Sequence, residues 1–379
     1  MADNDQGKPL AGLRVLDLTR LLPGPVCTLY LADLGADVIK IEDDQAGDYT
    51  RTLNAEMFAA VNRNKRGLTL DLRKAEDCER LKALAADAEV LVESFRPGVM
   101  ERLGVGYDVL KAVNPALVYC AITGYGRTGP YKDKAGHDIN YRGYTGHLEQ
   151  GGRAGGPPDV SNFQLADLGG GALTAAFGIL AAVMRARATG QGGYLDSAML
   201  DGTLAMQVVP LGTMRQIGHT RPRGEDMLSG GLPNYDVYEC ADGKYLALGA
   251  LEPKFWLGFC QAVERPDLAR MPIGTGPDAE ATREAVRDLV AQRTRDEWAE
   301  YLADHDVCAT PVLTLEEALE NEQVRARGMV CQVDGKPQFA CPVKLDGFEF
   351  RVEREAPAPG EHSDEILAEL ESRRSSATG

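Results

Sequence analysis

The sequence holds 379 residues, 44% of them hydrophobic and 26% charged, with 42 glycines spread along its length; this is enough chain to bury a sizeable core, and the balance excludes a disordered protein. The formal net charge of −16 sets an average field that repels phosphate backbones, which excludes nucleic acid as a partner. The start, MADNDQGKPL, is polar with no apolar signal core, and the longest near-apolar run, 172–184, is too short to cross a bilayer, so no membrane is expected and the location is expected to be cytoplasmic.

In chain order, residues 13–18 form a Val- and Leu-rich run, LLPGP a turn, 26–34 a stretch of helical spacing and 37–41 a second apolar run, which predicts a βαβ unit. A strand over 68–72, a helix over 75–86 and strands over 90–93 and 117–122 continue the alternation and predict a mainly parallel sheet in an α/β fold. Residues 124–165 are rich in Gly, Pro, Asp and Asn without periodicity and read as long functional loops. Apolar spacing predicts a helix over 168–188, ended by the glycines at 190–193. Beyond RPRGEDMLSGGLPN, strands over 235–240 and 245–250 joined by Ala241-Asp242-Gly243-Lys244 read as a hairpin, followed by helices near 254–264, 278–293 and 295–304. A strand over 348–352, a Pro-rich bend and a helix over 363–372 close the chain. The expected division is the N-terminal part of a large domain over 1–224, a smaller α+β domain over 225–335, and a C-terminal segment over 336–379 that returns to the first.

The eight cysteines include no C-x-x-C pair, and His305 with Cys308 has no second ligand pair nearby, so reduced, mostly buried thiols are expected and no metal site. Gly124-Tyr125-Gly126-Arg127-Thr128-Gly129 satisfies G-x-G-x-x-G after a strand, but Pro130 to Gly136 follow where a dinucleotide fingerprint needs a helix, and the first βα turn is LLPGP instead. A nicotinamide cofactor is therefore not expected. The same glycines would let backbone amides approach an anionic or carbonyl oxygen.

Four groups of residues are candidates for chemistry. His137, beside Asp138 in a polar loop, has an imidazole that titrates near neutrality and can take and give a proton; a histidine hydrogen-bonded for loop structure fits equally well. Asp167 stands before Gly169-Gly170-Gly171 and the apolar helix, where its carboxylate can cap free N–H groups. Three glycines weaken a helix start, however, and are useful where something must approach the backbone. Glu252, in GALEPKFW, precedes a proline suited to a first helical turn, and is either a helix-start charge or a carboxylate that orients an imidazole. Arg63, Lys65, Arg66, Arg73, Lys74, Arg96 and Arg102 gather cations in an acidic chain, as a solvated face or as partners for a phosphorylated small molecule.

Together these residues resemble one family, the class III CoA transferases and α-methylacyl-CoA racemases. The resemblance runs through LAGLRVLDLTRLLPGP, DLGADVIKIE, NRNKRGLTLDL, ESFRPGVMERLG, GYGRTGPY, LADLGGGAL and DGKYLALGALEP, almost the whole chain. It implies a Rossmann-like large domain, a smaller domain, and two chains threaded into an interlocked homodimer that acts on an acyl-CoA, with no cofactor beyond the CoA moiety of the substrate. The transferases resemble the chain at Asp167, which would attack a thioester and carry acyl and then CoA. The racemase branch adds the histidine of a GHDINY-like loop and the glutamate of a GA-x-EP loop, present here as His137 and Glu252.

The resemblance therefore implies a racemase that epimerises 2-methyl-branched acyl-CoA through an enolate, with a CoA transferase as the alternative. By the same analogy Arg102, Tyr141 and the cluster Arg63, Lys65 and Arg66 line the CoA cleft. His137, oriented by Glu252, would serve one face of the α-carbon and Asp167 the other, with N–H groups at the start of the 168–188 helix receiving the enolate oxygen. A helix start lowers a carboxylate's pKa, whereas a general base works best near neutrality; the two demands on Asp167 oppose each other, and burial beside an apolar acyl chain is what would reverse the first.

Overall fold

The computed structural model describes residues 7–377, so that the polar start at 1–6 lies outside the described residues. The chain divides into two compact units, the first built from Met1–Thr145, Phe163–Met206 and Gln323–Gly379, the second from Gly146–Asn162 and Gln207–Glu322. Both are mixed α/β.

Unit one is organised by a six-stranded parallel sheet of β1 (Arg14–Leu18), β2 (Asp37–Glu42), β3 (Lys65–Thr69), β4 (Val90–Glu93), β5 (Val118–Thr123) and β6 (Gly193–Ala198), in the order β3-β2-β1-β4-β5-β6. Strand side chains alternate between faces. Val15, Val38, Val90 and Val92 enter one core with the helix Pro23–Asp33 and the long helix that ends at Thr189, while Leu16, Ile39 and Leu91 enter a second core with Leu81, Leu84, Ile366 and Leu370. Both faces are covered, which is why these strands read as continuous apolar runs rather than alternating ones.

Several elements differ from the sequence reading. LLPGP is not only a turn: Pro23 and Pro25 open the Pro23–Asp33 helix, where missing N–H groups cost nothing. The third strand covers Lys65–Thr69 rather than 68–72, because two cations that look like surface residues are buried within it. Residues 193–198, GYLDSA, form an edge strand that its half-exposed, weakly apolar pattern concealed. Residues 348–352 are not a strand; Phe348 makes an isolated bridge with Leu345.

The long helix is a π-helical stretch, Ala166–Leu173, continued by the α-helix Thr174–Thr189. At 24 residues it is long and apolar enough to cross a membrane by length and composition alone, so the shorter run read from the sequence understates it. Its Ala172, Ala175, Ile179 and Val183 face is buried in the first core.

Unit two carries an antiparallel sheet of β7 (Tyr235–Glu239), β8 (Tyr245–Gly249) and β9 (Ala309–Pro311). The β7–β8 hairpin turns at residues 240–244, and the helices Pro253–Ala262, Glu280–Val290 and Arg295–Leu302 supply Trp256, Phe259, Val286 and Trp298 to its own core. All eight cysteines are unpaired, six of them buried.

Candidate active site

In a parallel sheet, ligands meet the carboxyl ends of the strands where the strand order reverses. Here that point lies between β1 and β4. The two loops that leave it are tied by Arg20 N–H donating to Ser94 Oγ at 3.1 Å. The Arg20 guanidinium lies between the rings of Tyr49 (5.3 Å) and Phe95 (5.4 Å) and pairs with Asp43 at 2.7 Å. Asp43 also accepts the N–H groups of Gln45, Ala46 and Gly47, which with Arg20 hold its carboxyl below the usual range despite burial. The sequence reading passed over Arg20, Tyr49 and Phe95; the switch-point rule applied to the turns after β1 and β4 would have found Arg20 and Phe95.

The structure places Arg63, Lys65 and Arg66 differently from the expectation that they line a cleft. Arg63 holds Asp33 through two bonds of 3.2 and 2.6 Å, and Arg66 holds Asp37, Glu365 and Glu369. Lys65 is wholly buried, with its ammonium donating to Asp17, Asn62 and the Pro25 carbonyl. A buried cation requires such partners, so these three fasten the sheet and the C-terminal helix Ser363–Ala377. Arg102 is different: it is exposed at the end of the short helix Val99–Arg102 and has no carboxylate partner among the described residues, as is also true of Arg96.

Beyond β5, residues 124–137 run without a helix, as the rejected fingerprint requires. Two of their amides are held within the protein: Gly126 N–H donates to Thr123 Oγ1 and Arg127 N–H to the Asp196 carboxylate. Tyr141 is buried, and its hydroxyl donates to the Gly136 carbonyl at 2.5 Å. Its ring fills space that a Cβ on Gly124 or Gly136 would invade, at 2.5 and 2.7 Å, so both glycines serve this packing. Burial, then the Asp167 charge, pushes its phenol up. Tyr141 thus locks the loop that carries His137.

His137 is exposed at the N-cap of the helix Asp138–Tyr144, its main-chain N–H donating to Asn140 Oδ1 at 3.0 Å. This helix is too short for periodicity to reveal within a Gly-rich segment. Asp138, the next residue, is buried and accepts the N–H groups of Ala166 (2.6 Å) and Asp167 (3.2 Å). His137 is therefore the direct chain neighbour of a group bonded to the backbone of Asp167. The helix-capping role weighed for Asp167 belongs to Asp138, which engages the N–H groups of Ala166 and Asp167, while Leu168 N–H, at the helix start expected to receive an enolate oxygen, donates to the Gln164 carbonyl.

The carboxyl of Asp167, second in the π-helical stretch, has no hydrogen-bond or ion-pair partner among the described residues. Burial, with the Asp138 charge second, raises its carboxyl to about 7. The triple glycine admits protein, not ligand: a Cβ on Gly170 would stand 2.5 Å from Thr203 Oγ1 and 2.6 Å from the Met199 carbonyl, on the helix Met199–Ala205. Wide turns of this kind often mark functional positions.

Glu252 lies in unit two, exposed, as the N-cap of Pro253–Ala262; its carbonyl accepts Phe255 and Trp256 N–H. The loop before it is held by Asn234, which exchanges two bonds with the Ala250 backbone.

A doubly covered parallel sheet with reactive groups above its carboxyl edge defines an α/β enzyme. The chain belongs to CoA-transferase family III, whose model matches residues 10–363. It is 36% identical over 372 residues to the α-methylacyl-CoA racemase of Mus musculus, covering 95% of this chain and 93% of that one. It is 32% identical to the succinate–glutarate CoA-transferase of Agrobacterium fabrum, with 98% of each covered. Among solved structures, a CAIB/BAIF family protein from Brucella suis superimposes with a TM-score of 0.85 at 31% identity, covering 96% of this chain and all of the other.

Proposed function

We propose that this protein is an α-methylacyl-CoA racemase that inverts the α-carbon of 2-methyl-branched acyl-CoA thioesters. The observation that carries this reading is the Asp167 carboxyl: unpartnered, raised to about 7, and joined through Asp138 to the loop of His137. A group half ionised near neutrality can remove a proton in one direction and deliver it in the other. One of the two groups takes the α-hydrogen to give the enolate, and the other returns a proton to the opposite face. Glu252 serves the same reaction, as the racemase branch implies, and the identity to racemases points the same way.

Arg102 and Arg96, cations with no protein partner among the described residues, together with Arg20, are proposed to receive the CoA phosphates and base. We further propose a homodimer in the cytoplasm. The long helix exposes Leu173, Phe177 and Met184, each more than half accessible, a row of the kind that partner chains cover. A CoA transferase is the second reading, favoured by the same unpartnered Asp167, which is equally placed to attack a thioester carbonyl.

Incubating one epimer of a 2-methylacyl-CoA with the pure protein in deuterated water tests the choice. The racemase washes the α-hydrogen out and approaches an even mixture with no second acid present. Transfer of CoA to a free acid, with a hydroxylamine-trapped adduct on Asp167 and no exchange, establishes the transferase instead.

A further inference from the structure

We propose that Asp138 is the positioning residue for Asp167: its carboxylate fixes the start of the helix that carries Asp167, and its charge governs the ionisation of the Asp167 carboxyl. The inference rests on reading Asp167 as the reacting group, and deepens it.

The two carboxyls sit in opposed surroundings. Asp138 faces three donors, the N–H groups of Ala166 and Asp167 at 2.6 and 3.2 Å and the Arg142 guanidinium at 3.3 Å. An ionised carboxylate, which only accepts, fits all three, at a helix start where negative charge is favoured. Asp167 faces no donor among the described residues. Of two neighbouring acids so arranged, Asp167, with no donor to favour its charged form, is the one that holds a proton toward neutrality.

Other titratable groups on the elements around the π-helical stretch are otherwise engaged. Tyr141 shares the Asp138 helix but bonds to Gly136. Asp201 responds to burial and then to Asp196 on β6, and on the helix Pro23–Asp33 the Asp33 carboxylate is bound to Arg63 while Cys27 responds to burial and then to Asp17. Burial and Asp138 account for the raised carboxyl of Asp167. The residue after the histidine is therefore not a spare acid: it links the loop of one reacting group to the ionisation of the other.

The variant Asp138→Asn keeps an acceptor oxygen and removes the charge. Infrared pH titration of protein carrying 13C-labelled aspartate carboxyls, with the Asp167→Asn variant subtracted, reads the Asp167 midpoint directly. We expect about 7 in the native protein and a fall of more than about half a pH unit in Asp138→Asn, with the acidic limb of α-hydrogen exchange moving the same way. Asp138→Ser, an uncharged cap, is the second variant if the first does not fold, and the same fall is expected. An unchanged Asp167 midpoint in a folded variant overturns the proposal, because a purely capping Asp138 would leave it in place. A shifted midpoint in a protein that neither exchanges nor transfers acyl groups sustains the Asp138 link and removes the proposed reaction.

Discussion

Lys65 Nζ lies 3.0 Å from Asp17 Oδ2, with both side chains closed to solvent. Removing one member of such a pair leaves the other charge buried and unpaired, at a cost of about 3–5 kcal/mol. Lys65→Met is therefore expected to lower the free energy of unfolding, read from a urea titration, by that amount while leaving CoA affinity intact in the folded fraction. An equally stable variant with weakened CoA binding would return Lys65 to the cleft.

The same pair sets an acid limit. Burial alone would raise the Asp17 carboxyl, but Lys65, Lys40 and the hydroxyls of Thr19 and Thr28 outweigh it and hold it at about 2, below its ordinary 3.8. A carboxyl depressed on folding contributes stability above its unfolded value, and that contribution is lost as pH falls from about 4 toward 2. Asp17→Asn should flatten the stability profile in that window, measured by chemical unfolding at stepped pH.

Glu93 has the opposite sign. It is buried beneath Tyr119 at the end of β4, and burial raises it to about 8 despite the Phe95 N–H it accepts. The folded protein holds a proton that the unfolded chain releases near 4.5, so stability declines as pH rises from there through 8. Glu93→Gln keeps the bond to Phe95 and should be more stable than the native protein at pH 8.5. No difference between the two at that pH would mean that the carboxylate finds a counter-charge.

Gly170→Ala tests the helix contact beneath Asp167. A Cβ there meets Thr203 Oγ1 and the Met199 carbonyl at 2.5 and 2.6 Å, and overpacking of this kind costs about 1–3 kcal/mol. We expect a lower melting temperature and a loss of exchange larger than the loss of CoA binding, because the shift displaces Asp167.

His137→Ala and Glu252→Gln are each expected to slow exchange by about 10²–10⁴-fold with CoA affinity nearly retained, whereas Asp167→Asn should abolish interconversion of the epimers and leave exchange of the one epimer that His137 serves. Arg102→Ala should show the reverse split, a raised KM with kcat largely kept. Isothermal titration with CoA separates the two patterns.

Much of unit one was legible because β1, β2, β4 and β5 are buried on both faces and spell their positions in Val, Leu and Ile. Asp167 and His137 were legible as motifs. Their coupling was not, since it runs through hydrogen bonds from residues 166 and 167 to residue 138, across a segment with no periodicity. The cations misled most. Arg63, Lys65 and Arg66 carry the charge that a phosphate would need, and only three-dimensional pairing with Asp33, Asp17 and Asp37 shows that the charge is spent inside. Arg20 was missed for the converse reason, as a lone arginine beside a turn.

The helix Ser363–Ala377 supplies Ile366 and Leu370 to the second core, against strands made near the opposite end of the chain. On the ribosome, then, the sheet is fully synthesised while one of its faces, already backed by Leu81, Leu84 and Leu110, still lacks Ile366 and Leu370, and unit two is made in the interval. Unit one cannot reach its native state until residues 363–377 have been made. A chain stopped between Glu252 and Ser363 keeps His137, Asp167 and Glu252, yet leaves open to chaperones and proteases the part of that core that Ile366 and Leu370 fill.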